Sequence, residues 1–350
     1  MSKATISFLS TRGRAMNIDL KLIQDYLALN LSDVTFEYYL KNTATKVPAA
    51  NKQLEKARLS FCENTRNIIC MDPSIPVKLS PALPEERRLL TLVPYDYLFN
   101  EYLKFIENPE LEHKKTFIRC THVLAGSPFF ANLLKEFYEF ENATFLDDMC
   151  LPLAWDITSK ESKENVRNNL EYLYPEAKGK KILTILTVNQ TAPEEMTELF
   201  SDLDLKKFLN EIGDNWFLLT NNINLLEMSG KLPFSYAKCF GYMKGVFGFD
   251  NLLYFSDMLV TNSSKHACTF ASENKPVYYL NYGKKHFGRY MKQYYPDLYL
   301  ETAGELLTLD YDQTELSEEE SRFCQEFACN TVQNPFTAIL KDLFLLTNKN

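Results

Sequence analysis

Apolar runs of strand length alternate with stretches whose apolar residues recur at helical spacing, and the chain runs through this alternation twice. Ala4 to Ser10 reads as a strand. Ser10, Thr11, Arg12, Gly13 and Arg14 then make a polar, glycine-containing turn. Ile18, Leu20, Leu22, Ile23, Tyr26 and Leu27 share one helix face, and Val34 to Leu40 is strand-like again. Further strands are expected at 67–71, 89–93, within 116–124 and at 143–146, with helices at 54–64, 97–107 and 129–138. Pro73, Pro76, Pro81 and Pro84 make 72–86 a loop. A polar stretch, 156–180, then interrupts the pattern.

Residues 181–187 restart it as a buried strand. A capped loop at 189–195 leads into a helix at 196–212, followed by strands at 216–220 and 240–246 and a short helix at 251–256. The stretch Phe255 to Tyr282 holds a strand at 258–260, a polar turn, a helix at 265–273 and a strand at 277–280. Helices at 302–310, 317–327 and 335–346 complete the chain. The implied fold class is α/β, with two Rossmann-like domains facing a cleft. Residues 1–156 are expected to form an acceptor-side domain, 157–180 a partly helical linker, and 181–350 a nucleotide-donor-binding domain.

Composition narrows the function classes. The 350 residues suffice for two domains, and the net charge of -8 disfavours a nucleic-acid groove or a broad electrostatic membrane patch. The eight cysteines (Cys62, Cys70, Cys120, Cys150, Cys239, Cys268, Cys324 and Cys329) show neither a CxxC pair nor zinc-ligand spacing, as in a reduced cytosolic protein. The N-terminus lacks a long signal-peptide core, and no run of 18 apolar residues predicts a membrane span. No Asp-x-Asp motif stands out, so no metal and no other cofactor is expected.

A two-domain architecture of this kind suits an enzyme moving a group from a nucleotide-activated donor. Such a transfer needs a base for the acceptor hydroxyl, positive charge or N–H groups for the leaving phosphate, and exclusion of water. The turn Thr261, Asn262, Ser263, Ser264 opens a helix, where anions are favoured. With Lys265 and His266 it is the first candidate for the donor phosphate. The plainer reading makes Ser263 or Ser264 an N-cap and Lys265 a helix-surface residue. Thr187, Asn189 and Gln190 follow the strand at 181–187 and are further donor-side candidates. Ser10, Thr11, Arg12, Gly13 and Arg14 are candidates for a phosphate or for the acceptor side. Asp96, at the end of the strand at 89–93, and His122 are the candidate bases, with His122 alternatively a core histidine. Asp147 and Asp148 are weaker choices, and His113 and His286 read as surface residues.

The run from Asn251 to Ser264, continued by Phe270-Ala271 and by Lys275-Pro276-Val277-Tyr278-Tyr279, resembles the C-terminal signature of CDP-glycerol glycerophosphotransferases. These are teichoic-acid primase/polymerase-type enzymes of the two-domain GT-B fold. Weaker echoes lie in Phe8 to Tyr26, and in Asp148 to Asp156 followed by 181–187. The resemblance implies a cytidine-nucleotide donor and a cell-surface glycan or polyol-phosphate acceptor. A lipid-linked acceptor would call for proximity to the membrane, so the expected location is cytoplasmic, including the inner face of the cell membrane. The chain also departs from the pattern. Thr91 to Asp96 stands where the family has Trp-His-Gly, Asn221-Asn222 where it has His-Pro, and Thr261-Asn262 where it has Asp-Tyr. Two alternatives follow: a transferase using another nucleotide-sugar, as in CMP-dependent sialyltransferases with a Ser-Ser/Thr turn, or a non-catalytic relative acting as a binding partner.

Overall fold

The computed structural model describes residues 4–10, 18–31, 34–40, 53, 56–57, 59–62, 67–70, 88–92, 95–107, 115–118, 120–140, 142–146, 163–188, 199–242, 255–282 and 286–328. The chain divides into two compact units, Met1–Thr158 with Cys329–Asn350, and Ser159–Ala328.

In the first unit, strands β1 (Ala4–Ser10), β2 (Val34–Leu40), β3 (Asn67–Cys70) and β4 (Arg88–Leu92) lie in one parallel sheet. The segment expected to hold one strand within 116–124 splits into β5 (Thr116–Ile118) and β6 (His122–Leu124). Only β6 joins the main sheet. β5 pairs instead with β7 (Tyr138–Phe140), which sequence periodicity did not reveal. With β8 (Thr144–Leu146) the main order is β2-β1-β3-β4-β6-β8. Ile6, Ser7, Phe8 and Leu9 are all buried, as expected of a parallel strand covered on both faces. Helices α1 (Ile18–Asn30), α2 (Tyr95–Glu107) and α3 (Pro128–Phe137) lie within two residues of their expected bounds. Ser127 caps α3 by accepting from Phe130 N–H at 3.4 Å, and Pro128 takes the first helical position, where a missing N–H costs nothing.

The second unit begins earlier than its first strand. Residues 157–180, expected as a linker, supply helix α4 (Lys163–Leu173) to this unit. Val166 and Leu170 are buried, Arg167 Nη2 donates to the carbonyls of Ala177 and Lys180, and the Tyr174 hydroxyl bonds to the backbone of Tyr242. The helical part of this polar stretch is thus a packed element of the second unit. The sheet contains β9 (Lys181–Leu186), β10 (Trp216–Thr220), β11 (Phe240–Tyr242), β12 (Met258–Thr261), β13 (Val277–Leu280) and β14 (Tyr299–Leu300). All six are parallel, in the order β11-β10-β9-β12-β13-β14. Numbered from β9, that is 3-2-1-4-5-6, the order of a Rossmann domain.

The helices of this unit are shorter than expected. The helix expected at 196–212 is α5 (Leu205–Ile212), because Asp204 caps it by accepting from Lys207 N–H at 3.0 Å, and Leu199 to Asp202 form turns. Helix α6 (Ile223–Ser229) and helix α8 (His286–Tyr294) were not expected. Between them, α7 (Ser264–Ala271) matches its expected place. The segment 302–310 is a 3₁₀ helix, Ala303–Thr308, rather than an α-helix. α9 (Glu318–Phe327) starts with a capping box between Ser317 and Glu320. The helices expected at 251–256 and 335–346 fall largely or wholly outside the described residues.

Candidate nucleotide site at the carboxyl edge of the second sheet

Parallel α/β sheets bind ligands beyond the carboxyl ends of their strands, where the strand order reverses. In the second unit that point lies between β9 and β12. β9 leaves the sheet through Thr187-Val188, β10 through Asn221-Asn222 and β12 through Asn262-Ser263. These three exits are joined by side-chain amides. Val188 N–H donates to Asn262 Oδ1 at 2.8 Å. Thr187 N–H donates to Asn221 Oδ1 at 2.9 Å, and Asn221 Nδ2 donates to the Thr187 carbonyl at 2.7 Å. Asn222 Nδ2 donates to Thr187 Oγ1 at 3.1 Å, and Asn222 Oδ1 caps α6 by accepting from Asn224 and Leu225 N–H.

The expected phosphate turn sits on the β12 side. Thr261 Oγ1 accepts from Ser263 N–H at 3.2 Å, which bends the chain into α7. Ser263 is the N-cap: its carbonyl accepts from Ala267 N–H at 3.0 Å, and its hydroxyl from His266 N–H at a long 3.4 Å. Thr261 and Asn262 are 0% exposed and Ser264 1%, whereas Ser263, Lys265 and His266 keep partial exposure. Buried side chains therefore shape the turn, and Ser263 is its accessible hydroxyl. Thr187 is also buried.

The His266 ring turns its Nδ1 out of solvent although the residue as a whole is not fully covered. Burial, with the Lys265 charge adding to it, lowers its pKa to about 3, so the imidazole is neutral at ordinary pH. A depressed folded-state value means that the unfolded chain binds the extra proton first. This contribution to stability is whole above about pH 6.5 and is lost as the pH falls toward about 3, by at most ~1.4 kcal/mol per pH unit. Unfolding free energies measured from pH 7 to 4 should fall less steeply for His266→Gln than for the wild type. Parallel curves would refute the buried neutral imidazole.

The remaining candidates lie elsewhere or outside the described residues. Asn189, Gln190, Thr11, Arg12, Gly13 and Arg14 are outside them. Ser10 is the last residue of β1, at the carboxyl edge of the first sheet and beside the β1–β3 reversal. Asp96, expected at a strand end, belongs instead to the first turn of α2. His122 opens β6 at its amino end, half-buried, with Nδ1 3.0 Å from Thr121 Oγ1. Both candidate bases are in the first unit, and the donor-side candidates that are described are in the second.

Sequence reasoning missed Asn221 and Asn222 as site-building residues; two consecutive amides directly after a buried strand were the available signal. It also missed Asn281 and Glu301, which follow β13 and β14 on the same edge. Asn281 Nδ2 donates to Glu301 Oε1 at 3.1 Å, and Lys292 Nζ pairs with Glu301 Oε2 at 2.6 Å, holding that carboxyl below its ordinary range. Among the described residues no group of three or more His, Cys, Asp or Glu is placed to hold a metal, and no helix is long and apolar enough to cross a membrane.

Two Rossmann-like units with parallel sheets define an α/β protein of the GT-B type, and solved structures agree over nearly the whole chain. The wall teichoic acid polymerase TagF, as a histidine-to-alanine variant, aligns with 13% identity over 98% of this chain and 88% of that one, at a TM-score of 0.58. A TagF variant with CDPG gives 15%, 98%, 88% and 0.58. S. aureus MnaA in a UDP co-structure gives 13%, 99%, 97% and 0.55. At such identities these likenesses establish the fold. The chain belongs to the CDP-glycerol:poly(glycerophosphate) glycerophosphotransferase family, whose model matches residues 99–323, and is accordingly a transferase. No curated protein sequence matches it significantly. The expected GT-B fold and the family resemblance are both borne out.

Proposed function

We propose that the second unit holds a cytidine-nucleotide donor of the CDP-glycerol type, and that the protein transfers its glycerol-phosphate unit to a hydroxyl of a glycan or poly(glycerophosphate) acceptor. In that reaction the acceptor oxygen attacks the distal phosphorus, the bond to the bridging oxygen breaks, and CMP leaves. The acceptor proton passes to a base, for which Asp96 of the first unit is the candidate. The leaving phosphate is placed at the start of α7, where the helix dipole favours developing negative charge. The neutral His266 adds a polar group there without a competing charge. The observation carrying this reading is the Val188–Asn262 hydrogen bond of 2.8 Å, which ties the β9 and β12 exits together at the strand reversal beside the Ser263 turn.

Thermal unfolding with CDP-glycerol, CDP, CMP, UDP, GDP and ADP tests the donor. A ligand at 100 times its dissociation constant stabilises by about 2.7 kcal/mol. Cytidine nucleotides are expected to raise Tm, with UDP, GDP and ADP weaker. No shift with any cytidine nucleotide at millimolar concentration removes the proposed donor. In the same preparations Asp96→Asn should keep donor binding and lose turnover; normal turnover removes Asp96 as the base.

A further inference from the structure

We propose that Asn221 is a positioning residue for nucleotide binding. In this role it contacts no donor atom and holds the Thr187-Val188 peptide in its binding geometry from the β10 side, as Asn262 does from the β12 side. The proposal rests on the donor reading above and assigns a function to a residue which that reading leaves idle.

The argument begins with strand register. The ladder between β9 and β10 ends at the pair Ile185 and Thr220. Beyond it β10 cannot continue, because Asn222 starts helix α6. The β9 chain does continue, and Thr187 still presents a backbone N–H and a carbonyl toward the vacated side. Buried peptide groups must find partners. Asn221 supplies both with one side chain, accepting at 2.9 Å and donating at 2.7 Å, so its amide stands in for the missing rung. Its own geometry is held in turn. Thr220 Oγ1 donates to the Ile185 carbonyl at 2.9 Å and accepts from Asn222 N–H at 3.0 Å, which fixes the direction in which the chain leaves β10.

The opposite side is built alike. Val188 N–H, one peptide further on, turns toward β12 and meets Asn262 Oδ1. Successive peptides are thus gripped from alternate sides by carboxamides of two different strand exits. Asn221 sits at the β10 exit, whereas the Ser263 turn follows β12, and both polar atoms of its amide bond to Thr187. A carboxamide does not titrate, so it is no candidate to move a proton, and its engagement with Thr187 makes positioning the role assigned to it. Its effect is pre-organisation: a Thr187-Val188 segment ordered in the free protein need not be ordered by the ligand, and each residue ordered on binding weakens affinity roughly tenfold.

Asn221→Ala removes the clamp, and Asn221→Leu removes it while nearly keeping the side-chain volume. Two quantities are read in the full chain: CDP and UDP affinity by calorimetry, and hydrogen-exchange protection of the Thr187 amide. Both variants are expected to bind CDP about tenfold or more weakly and to lose Thr187 protection. A role in packing alone would leave Asn221→Leu at wild-type affinity. Wild-type affinity in either variant, or unchanged Thr187 protection, overturns the proposal. If neither variant folds, Asn221→Gln, which keeps an amide but sets it one methylene too far to close both bonds, takes their place. Wild-type protein that binds UDP and ignores CDP overturns the donor reading alone, and the Asn221 comparison is then made with UDP. Wild-type protein that binds neither overturns both.

Discussion

Ser263→Ala combined with Ser264→Ala is expected to weaken CDP binding by about tenfold to a hundredfold while leaving the fold intact. A hydrogen bond to a charged group contributes about 1.5–3 kcal/mol, which corresponds to that range. The structural cost is smaller. The Ser263 hydroxyl caps α7 through a contact of 3.4 Å, at the far end of hydrogen-bonding distance, so the cap is weak. Losing an N-cap costs about 1 kcal/mol, or a few degrees of Tm for a domain this size. Ser264 is buried at the first position of the helix, and alanine fits there without overpacking. Calorimetry with CDP, set against thermal unfolding without ligand, separates the two effects. Unchanged affinity rejects the phosphate role of the turn. Lost affinity with a large fall in Tm would show that the serines matter to the fold instead.

Glu320→Ala is expected to destabilise the protein by about 3 kcal/mol or more, because several neutral donors lose a charged acceptor and each such hydrogen bond contributes about 1.5–3 kcal/mol. Glu320 is 1% exposed. Its Oε1 accepts from the Tyr278 hydroxyl at 2.9 Å and from Gln313 Nε2 at 3.0 Å, and its Oε2 from Ser317 N–H at 2.7 Å. The Glu320 N–H donates to Ser317 Oγ at 3.1 Å, closing the capping box of α9. One carboxylate therefore starts a helix and ties it to strand β13. Burial, reinforced by the adjacent Glu320 charge, pushes the Tyr278 hydroxyl well above its ordinary pKa, so Tyr278 stays a donor throughout the usable pH range. Alanine would leave that hydroxyl and the Gln313 amide without their acceptor. Tyr278→Phe removes the opposite end of one bond and leaves the charge with its other donors, so about 1 kcal/mol is expected. Denaturant unfolding of both variants checks the order. A loss under about 1 kcal/mol for Glu320→Ala would show that the network is not holding α9 to the sheet.

The elements that were legible in the sequence are those whose signal is local. β9 and β12 read as strands because a parallel strand covered on both faces is a near-continuous apolar run, and here all of β12 is buried. Ser127 before Pro128 marks a helix start through a hydrogen bond that spans three residues. The turn from Thr261 to Ser264 was visible for the same reason. The bounds and packing of α4 were not legible because its buried stripe is only Val166 and Leu170 within a polar run. α6 escaped notice because seven residues give too few turns for a periodic pattern.

By itself, then, the sequence determined the alternation of strands and helices, the two-unit organisation and the chemistry available at the β12 exit. Each follows from side chains a few residues apart. Tertiary structure alone decided which strands are neighbours, and with that where the order reverses. It also decided that Asn262 and Ser264 are buried framework while Ser263 keeps its exposure. Only the fold makes Asn221 a partner of Thr187, 34 residues away, and Asn262 a partner of Val188, 74 residues away. Such pairings arise from the register of parallel strands, which is set by packing across the whole sheet, and no local pattern encodes them.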